Sequence, residues 1–568
     1  MYIDIVPNRN SPPAILLRES IRDGVKIRKR TLANLSALSL EQAYAIRRVL
    51  KEEAVHSGEP WFDIIRSRPH GHVAAVLTAM KRLRLDQLLG GRPCREKDLI
   101  KAMLVSRILR PNSKLATTRT WGHTTLGESL GVEGATEDEL YAALDWLFER
   151  QEPIEGRLAK RHLREGGRVL YDLSSSYFEG TTCPLAARGY NRDGKQGKLQ
   201  VNYGLMTNPQ GCPVALSVFA GNISDPQTLL SQVDSLQGRF ALDSVILVGD
   251  RGMISQRQID ELKQRPGMSW ITAVKSGTIR QLLGEGAIQL DLFDERNLFE
   301  LQHPDFPGER LIACRNPQLA RLRTHKRDSL IEATCKELER VRGMVQAGRL
   351  KAADKIGVRV GRVINKYKVA KHFQLEIEAG RFEFRIDADK VAAEAALDGL
   401  YVIRAEAEHN PDSADDLVRH YKGLSRVEQA FRSLKGVDLQ IRPIYHRLEN
   451  RVRAHLFLCM LAYYVKWHLL EAWRPLLFSD EEQERKAEQN PVAPARRSAS
   501  AERKAASKQT AEGVPVHSFG TLIDNLATIV RNTCRRIGAT TNEPCFILDT
   551  RQLPQQENAY NLLLSIGL

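Results

Sequence analysis

Three acidic side chains stand where an acid is expensive to place. Asp172 interrupts the apolar run 169–173, Asp250 follows the apolar run 245–248 after a single glycine, Gly249, and Glu428 sits among Tyr421, Arg426, Arg432 and Lys435. Asp is depleted from strands, and a buried carboxylate without a partner is costly, so Asp172 calls for a metal or a hydrogen-bond donor. Asp250 precedes Arg251 and Gly252, a sequence that also suits a capped turn paired with the arginine. On a helix, Tyr421, Leu424, Glu428 and Lys435 fall on one stripe, spaced by three, four and seven. Ser425 three residues before Glu428 equally matches a capping box, in which the glutamate bonds back to its own cap. Both readings are open at this level. Brought together, the three carboxylates would suit two divalent cations about 3.5–4 Å apart, one activating water or a 3′-hydroxyl and the other stabilising the leaving oxygen. All-oxygen donors favour Mg2+, with Mn2+ as the alternative ion. His446 and His455 fit that site poorly for the same reason, and are expected as core or phosphate contacts.

The elements around these acids follow from periodicity. Strands are predicted at 169–173, 200–206 and 213–219, the last two joined by a turn with hairpin chemistry around Gly211. A helix follows over 224–237, then a fully apolar strand at 245–248, a helix at 256–263 and a strand at 270–274. This order puts Asp172 midway along the first strand, Asp250 at the end of the fourth, and Glu428 on a late helix. Carboxyl ends of central strands are where α/β sheets gather ligands. Residues 14–17 and 25–27 are short apolar segments with a turn expected at Asp23-Gly24, and helical patterns occupy 40–50, 96–108 and 137–149. The stretch 276–395 mixes a long charged helix near 327–345 with strands at 373–377 and 382–386, and a buried strand is expected at 400–404. Residues 480–515 are charged and poor in aromatics, the composition of a solvated or disordered linker.

At 568 residues the chain is too long for one core, and 42% apolar residues mark it as globular. A net charge of +15 and an isoelectric point of about 9.4 point to a polyanionic partner. The eight cysteines are scattered with no C-x-x-C pair, which disfavours zinc or disulfide frameworks and fits a reducing cytosol. The longest apolar stretch, ten residues at 456–465, is too short to span a bilayer, and the N-terminus has no signal-peptide pattern.

The chain resembles a DDE transposase of a bacterial insertion sequence, and within these the insertion sequence four group, whose third acid lies in a Y-x2-R-x3-E-x6-K signature. Tyr421, Glu428 and Lys435 match that spacing; Leu424 stands where the family has arginine, with Arg426 two residues on. "VGDRG" around Asp250 and Arg251 and "YDLSSSYFEG" around Asp172 resemble the other two acid segments, and "GYNRDGKQGKLQVNYGL" resembles a basic region reaching toward DNA. The resemblance implies an α/β fold with an RNase H-like mixed-sheet catalytic core at 165–275 and 396–475, an inserted β-containing subdomain at 276–395, a mostly helical DNA-end-binding domain at 1–160, and a C-terminal segment at 516–568. It implies Asp172, Asp250 and Glu428 as catalytic metal ligands, and Tyr421, Arg426, Arg432, Lys435 and Arg251 as DNA contacts. The implied partners are double-stranded DNA, as terminal inverted repeats and as target, and a second copy in a homodimer on DNA, in a cytoplasmic, nucleoid-associated enzyme without membrane contact. An RNase H-like nuclease and a non-catalytic DNA-binding protein are the alternatives.

Overall fold

The structure, a computed structural model, describes residues 1–9, 11–23, 26–50, 61–289, 293, 297–482, 490–493, 496–537 and 543–567. The chain forms two compact units, Met1–Ser67 with Arg531–Thr550, and Arg68–Val530 with Arg551–Leu568. In the first unit, strands Tyr2–Val6, Ala14–Asp23 and Lys26–Asn34 form an antiparallel sheet. Helix Leu40–Leu50 covers it, and Ile3, Ile15 and Ala43 are buried between them. Alternation of apolar and charged residues gives the first strand one buried face, as in Ile3-Asp4-Ile5. The turn expected at Asp23-Gly24 lies partly outside the described residues.

The second unit is built on an eight-stranded sheet. Its strands are β1 (Gly167–Tyr177), β2 (Gln200–Thr207), β3 (Pro213–Ala220), β4 (Val245–Val248), β5 (Met268–Ala273), β6 (Leu298–Leu301), β7 (Glu309–Arg315) and β8 (Leu400–Glu406), in the spatial order β6-β7-β8-β5-β4-β1-β2-β3. β1, β2 and β3 pair antiparallel in succession, while β4 is parallel to both β1 and β5. That mixed order, β3-β2-β1-β4-β5, is the RNase H-like core. β4 reads Val-Ile-Leu-Val and is buried throughout, as expected of a central parallel strand covered on both faces. Between β2 and β3, Gly211 takes the left-handed conformation (φ 86°), and the Asn208 side chain accepts from the N–H groups of Gln210 and Cys212. The predicted hairpin chemistry is therefore present.

Helices surround the sheet: α1 (Gly71–Arg82), α2 (Arg95–Leu109), α3 (Lys114–Thr120), α4 (Glu137–Phe148), α5 (Ala414–Lys422), α6 (Leu424–Lys435) and α7 (Glu449–Ala472). The middle of α7, Leu456–Val465, is apolar on every face, the pattern of a helix buried on all sides. It packs on α2, α4 and β3, and buries Leu456, Phe457, Leu461 and Tyr464 among others. Each such side chain contributes about 1.5–3 kcal/mol of transfer free energy, an upper figure because unfolded chains are already partly collapsed. Among the described residues, no helix is long and apolar enough to cross a membrane.

Three boundaries differ from the sequence reading. Residues 1–160 are not one helical domain: the first unit is largely strand, and helices between 71 and 162 share the core of the catalytic sheet because their apolar faces are buried with α7. Residues 276–395 are divided. β6 and β7 extend the main sheet through β8, while helices Pro317–Gln346 and Ala353–Ile364 and the hairpin Phe373–Glu378/Arg381–Ile386 enclose a separate core around Leu338, Ile356 and Phe382. The charged stretch 480–515 holds a helix, Ala499–Ser507, capped by Ser498, and the carbonyls of Val492 and Ala493 accept the Lys422 ammonium. Residues 483–489 and 494–495 of that stretch lie outside the described ones.

Candidate active site

Strand register sets the first two acids side by side. Leu170 of β1 lies opposite Val248 of β4 in parallel pairing. Asp172 follows two residues on within β1 and Asp250 two residues past the end of β4, so the pairing of these strands, about 5 Å apart, leads both acids to the same end of the pair. Asp172 is half-buried, and its Oδ1 accepts the Leu173 N–H at 2.8 Å. Asp250, exposed at the strand end, accepts the Gly252 N–H in the turn that its sequence foretold.

α6 carries the third acid across β1 and β2, held by Leu424, Val427, Ala430, Phe431 and Leu434 on its buried face. Phe431 meets Tyr203 of β2 edge-on at 5.8 Å. α6 begins at Leu424 behind Gly423, with no side-chain cap. Ser425 is therefore inside the helix, and the capping box is overturned. Glu428 is left with a side chain 59% exposed, and its ion-pair partner is Arg432 one turn on, at 3.6 Å.

The electrostatics show that the three acids share a field. Burial pushes Asp172 up to about 7, and the charges of Asp250 and Glu428 push it the same way. Tyr421 is raised to about 12, first by burial and then by Asp250, Glu428 and Asp172. All three carboxylates thus act on the phenol, although α5 and α6 meet at Gly423 between it and Glu428. The residues suit a divalent cation. Every donor is a carboxylate oxygen, and Arg192, the cation nearest in effect to Asp172, is held by both oxygens of Asp225. Among the described residues, three His, Cys and acid groups bring their ligand atoms within 4.8 Å of one another; none contains these acids, so their oxygens stand further apart.

The cationic residues of the stripe divide. Arg432 is 81% exposed and Arg251 is exposed, its guanidinium reaching the Ser276 hydroxyl at 3.3 Å. Arg426 instead bonds to the Pro209 carbonyl in the β2–β3 hairpin, and Lys435 is only 11% exposed, with its ammonium 3.0 Å from Asp193. The residue that sequence reasoning missed is Asp193. It is 1% exposed and takes Lys435, Arg442 and the Tyr177 N–H, so the basic loop before β2 is tied to the end of α6. Its one signal was an acid inside that otherwise basic segment.

A mixed sheet ordered β3-β2-β1-β4-β5, with one acid midway along β1, a second just past the end of the neighbouring β4 and a helix bearing a third laid across it, defines an RNase H-like enzyme. Residues 170–465 match the family model described as a transposase DDE domain, and residues 3–64 match that of the IS1634 family transposase N-terminal domain. The chain belongs to the DDE transposases of bacterial insertion sequences, which cleave and join DNA. No curated protein matches its sequence. Among solved structures, it is similar to a piggyBac transposase in a synaptic complex with hairpin DNA, at 9% identity over 80% of this chain and 77% of that one, with a TM-score of 0.33.

Proposed function

We propose that Asp172, Asp250 and Glu428 are the catalytic centre with which this transposase cuts and joins the ends of its element. The supporting observation is the parallel register of β1 and β4, which aligns two acids beneath the helix that carries the third. Asp172 is fixed by strand backbone and Asp250 by the turn that follows β4, while Glu428 is exposed on its helix and can swing its carboxylate inward. Two Mg2+ ions, or Mn2+ in their place, would supply an activated hydroxyl and charge stabilisation at the leaving oxygen when held by these acids. Arg251 and Arg432, both exposed at the rim, hold backbone phosphates of the bound duplex, which positions the strand without reading its sequence. The partners are the terminal inverted repeats and the target duplex. A homodimer on DNA gives one centre to each end.

The test is Asp172→Asn, Asp250→Asn and Glu428→Gln, each assayed with an end-bearing duplex and Mg2+. Cleavage and strand transfer fall by at least about a hundredfold in each, because charge stabilisation in the transition state is lost. End binding in a gel shift stays within a few-fold, since phosphate affinity comes from lysine and arginine. Wild-type cleavage by any of the three removes that residue from the centre.

A further inference from the structure

A second basic feature lies beyond the far end of α6. A cavity of about 630 Å³ opens between the N-terminal ends of α3 and α7, α2, α4 and the segment 440–448. Arg107, Lys114, Arg442, Arg447 and Arg451 line it together with His446 and His455, and no lining residue is Asp or Glu. Two of the cations are answered by carboxylates from outside the cavity, Arg451 by Asp145 and Arg442 by Asp193. The other three are not. Arg107 donates to backbone carbonyls, those of Leu439 and Gln440 at 3.3 and 3.5 Å. Arg447 is exposed at the mouth, and among the described residues it has no hydrogen-bond or ion-pair partner.

Lys114 is the decisive residue. It is 6% exposed, lines the cavity, and among the described residues its ammonium has no hydrogen-bond or ion-pair partner. An ammonium offers three donors and a buried one needs acceptors. His455 donates from Nε2 to the Ile441 carbonyl at 3.2 Å, so its buried Nδ1, which has no partner among the described residues, is an acceptor open to a hydroxyl or amino group. The ring of Tyr141, with Arg451 over its face at 4.9 Å and His446 against its edge at 5.9 Å, gives the cavity an aromatic wall.

We propose that this cavity is a phosphate site that holds one nucleotide unit of a DNA strand on its way to the carboxylate centre. A phosphodiester supplies the acceptors that Lys114 and Arg447 lack, in charge-assisted hydrogen bonds stronger than neutral ones, and a counter-charge for Arg107. The volume is that of a pocket enclosing a small organic molecule, large for a bare ion, and a base and sugar fill the remainder beside Tyr141 and His446. The site connects to the centre through Arg442, which lines the cavity and shares Asp193 with Lys435, about 10 Å along α6 from Glu428. That the strand is DNA rests on the function proposed above; the anion chemistry does not.

The experiment uses full-length Lys114→Met, which keeps the buried volume, and Arg447→Ala, which alters only an exposed residue. Binding of a fluorescent end duplex is measured by polarisation over a salt series, with inorganic phosphate as competitor, and Asp172→Asn is run alongside. Each variant is expected to weaken DNA binding about tenfold at every sequence tested and to reduce the salt slope by about one. Phosphate competes with DNA on the wild type and fails to compete on Lys114→Met. The proposal is overturned if both variants melt as folded proteins yet keep wild-type affinity and salt slope. It is equally overturned if phosphate binding depends on Lys114 while DNA binding does not, which would make free phosphate the ligand. Loss of cleavage in Asp172→Asn, with unaltered binding in both cavity variants, would sink this site and leave the carboxylate centre standing. Full cleavage by Asp172→Asn would do the reverse.

Discussion

Replacing Lys114 by Met is expected to stabilise the protein, an unusual direction for a substitution near a binding site. Burial draws Lys114 down from 10.5 to about 7, with the Arg107 charge acting the same way. At about 1.36 kcal/mol per pH unit, this difference bounds the cost of keeping the ammonium charged at about 5 kcal/mol. Relaxation and water entry reduce what is recovered, so a gain on the order of 1–3 kcal/mol is expected. The sign follows from proton binding. Between about pH 7 and 10.5 the unfolded chain holds the Lys114 proton and the folded chain does not, so stability of the wild type rises with pH over that window. The cost is full below about 7 and vanishes toward 10.5. Among the groups facing Lys114, burial holds His446 at about 3 and His455 well below 6.5, and it pushes the Cys459 thiol up. Lys114 is thus the group of this cluster that titrates near neutrality. Thermal melts of wild type and Lys114→Met from pH 6 to pH 10 measure it: the variant melts higher at pH 6, and the difference shrinks as pH rises. A variant that melts lower at pH 6, or a difference independent of pH, would refute the reasoning that this lysine is held charged at a cost for the sake of an anion.

Other consequences are local. Lys435→Ala leaves the salt dependence of DNA binding unchanged, because its ammonium is on Asp193 rather than free; a slope reduced by one would place Lys435 on a phosphate instead. Arg327→Met leaves the Asp398 carboxylate with the Thr324 hydroxyl but no counter-charge and costs about 3 kcal/mol, read as a lowered denaturation midpoint. Gly204→Ala puts a Cβ 2.1 Å from the Tyr171 hydroxyl, next to Asp172 in sequence; it costs about 1–3 kcal/mol and slows cleavage more than it weakens end binding, as gel assays of both would show.

Local sequence determined the strands and helices of the core, because each has a clear period or a continuous apolar run: β4 as Val-Ile-Leu-Val, the helix Gln256–Lys263, the turn at Gly211. It also singled out Asp172, since an acid inside a buried strand is chemically conspicuous. Sequence could not determine whether Ser425 capped a helix, because the choice depended on Gly423 ending α5 one residue before α6 begins. Nor could it show that helices 71–162 belong with the catalytic sheet. Their apolar stripes demanded a partner without naming one, and α7, more than 280 residues further on, is that partner. The fates of the cations were hidden for the same reason. Charge reads identically in sequence whether a side chain faces solvent, as Arg432 does, pairs with a distant Asp193, as Lys435 does, or is buried without a carboxylate, as Lys114 is. The last of these arises only where α2, α3, α4 and the start of α7 converge, since the environment that strips water from an ammonium is assembled by tertiary packing and not by its neighbours in the chain.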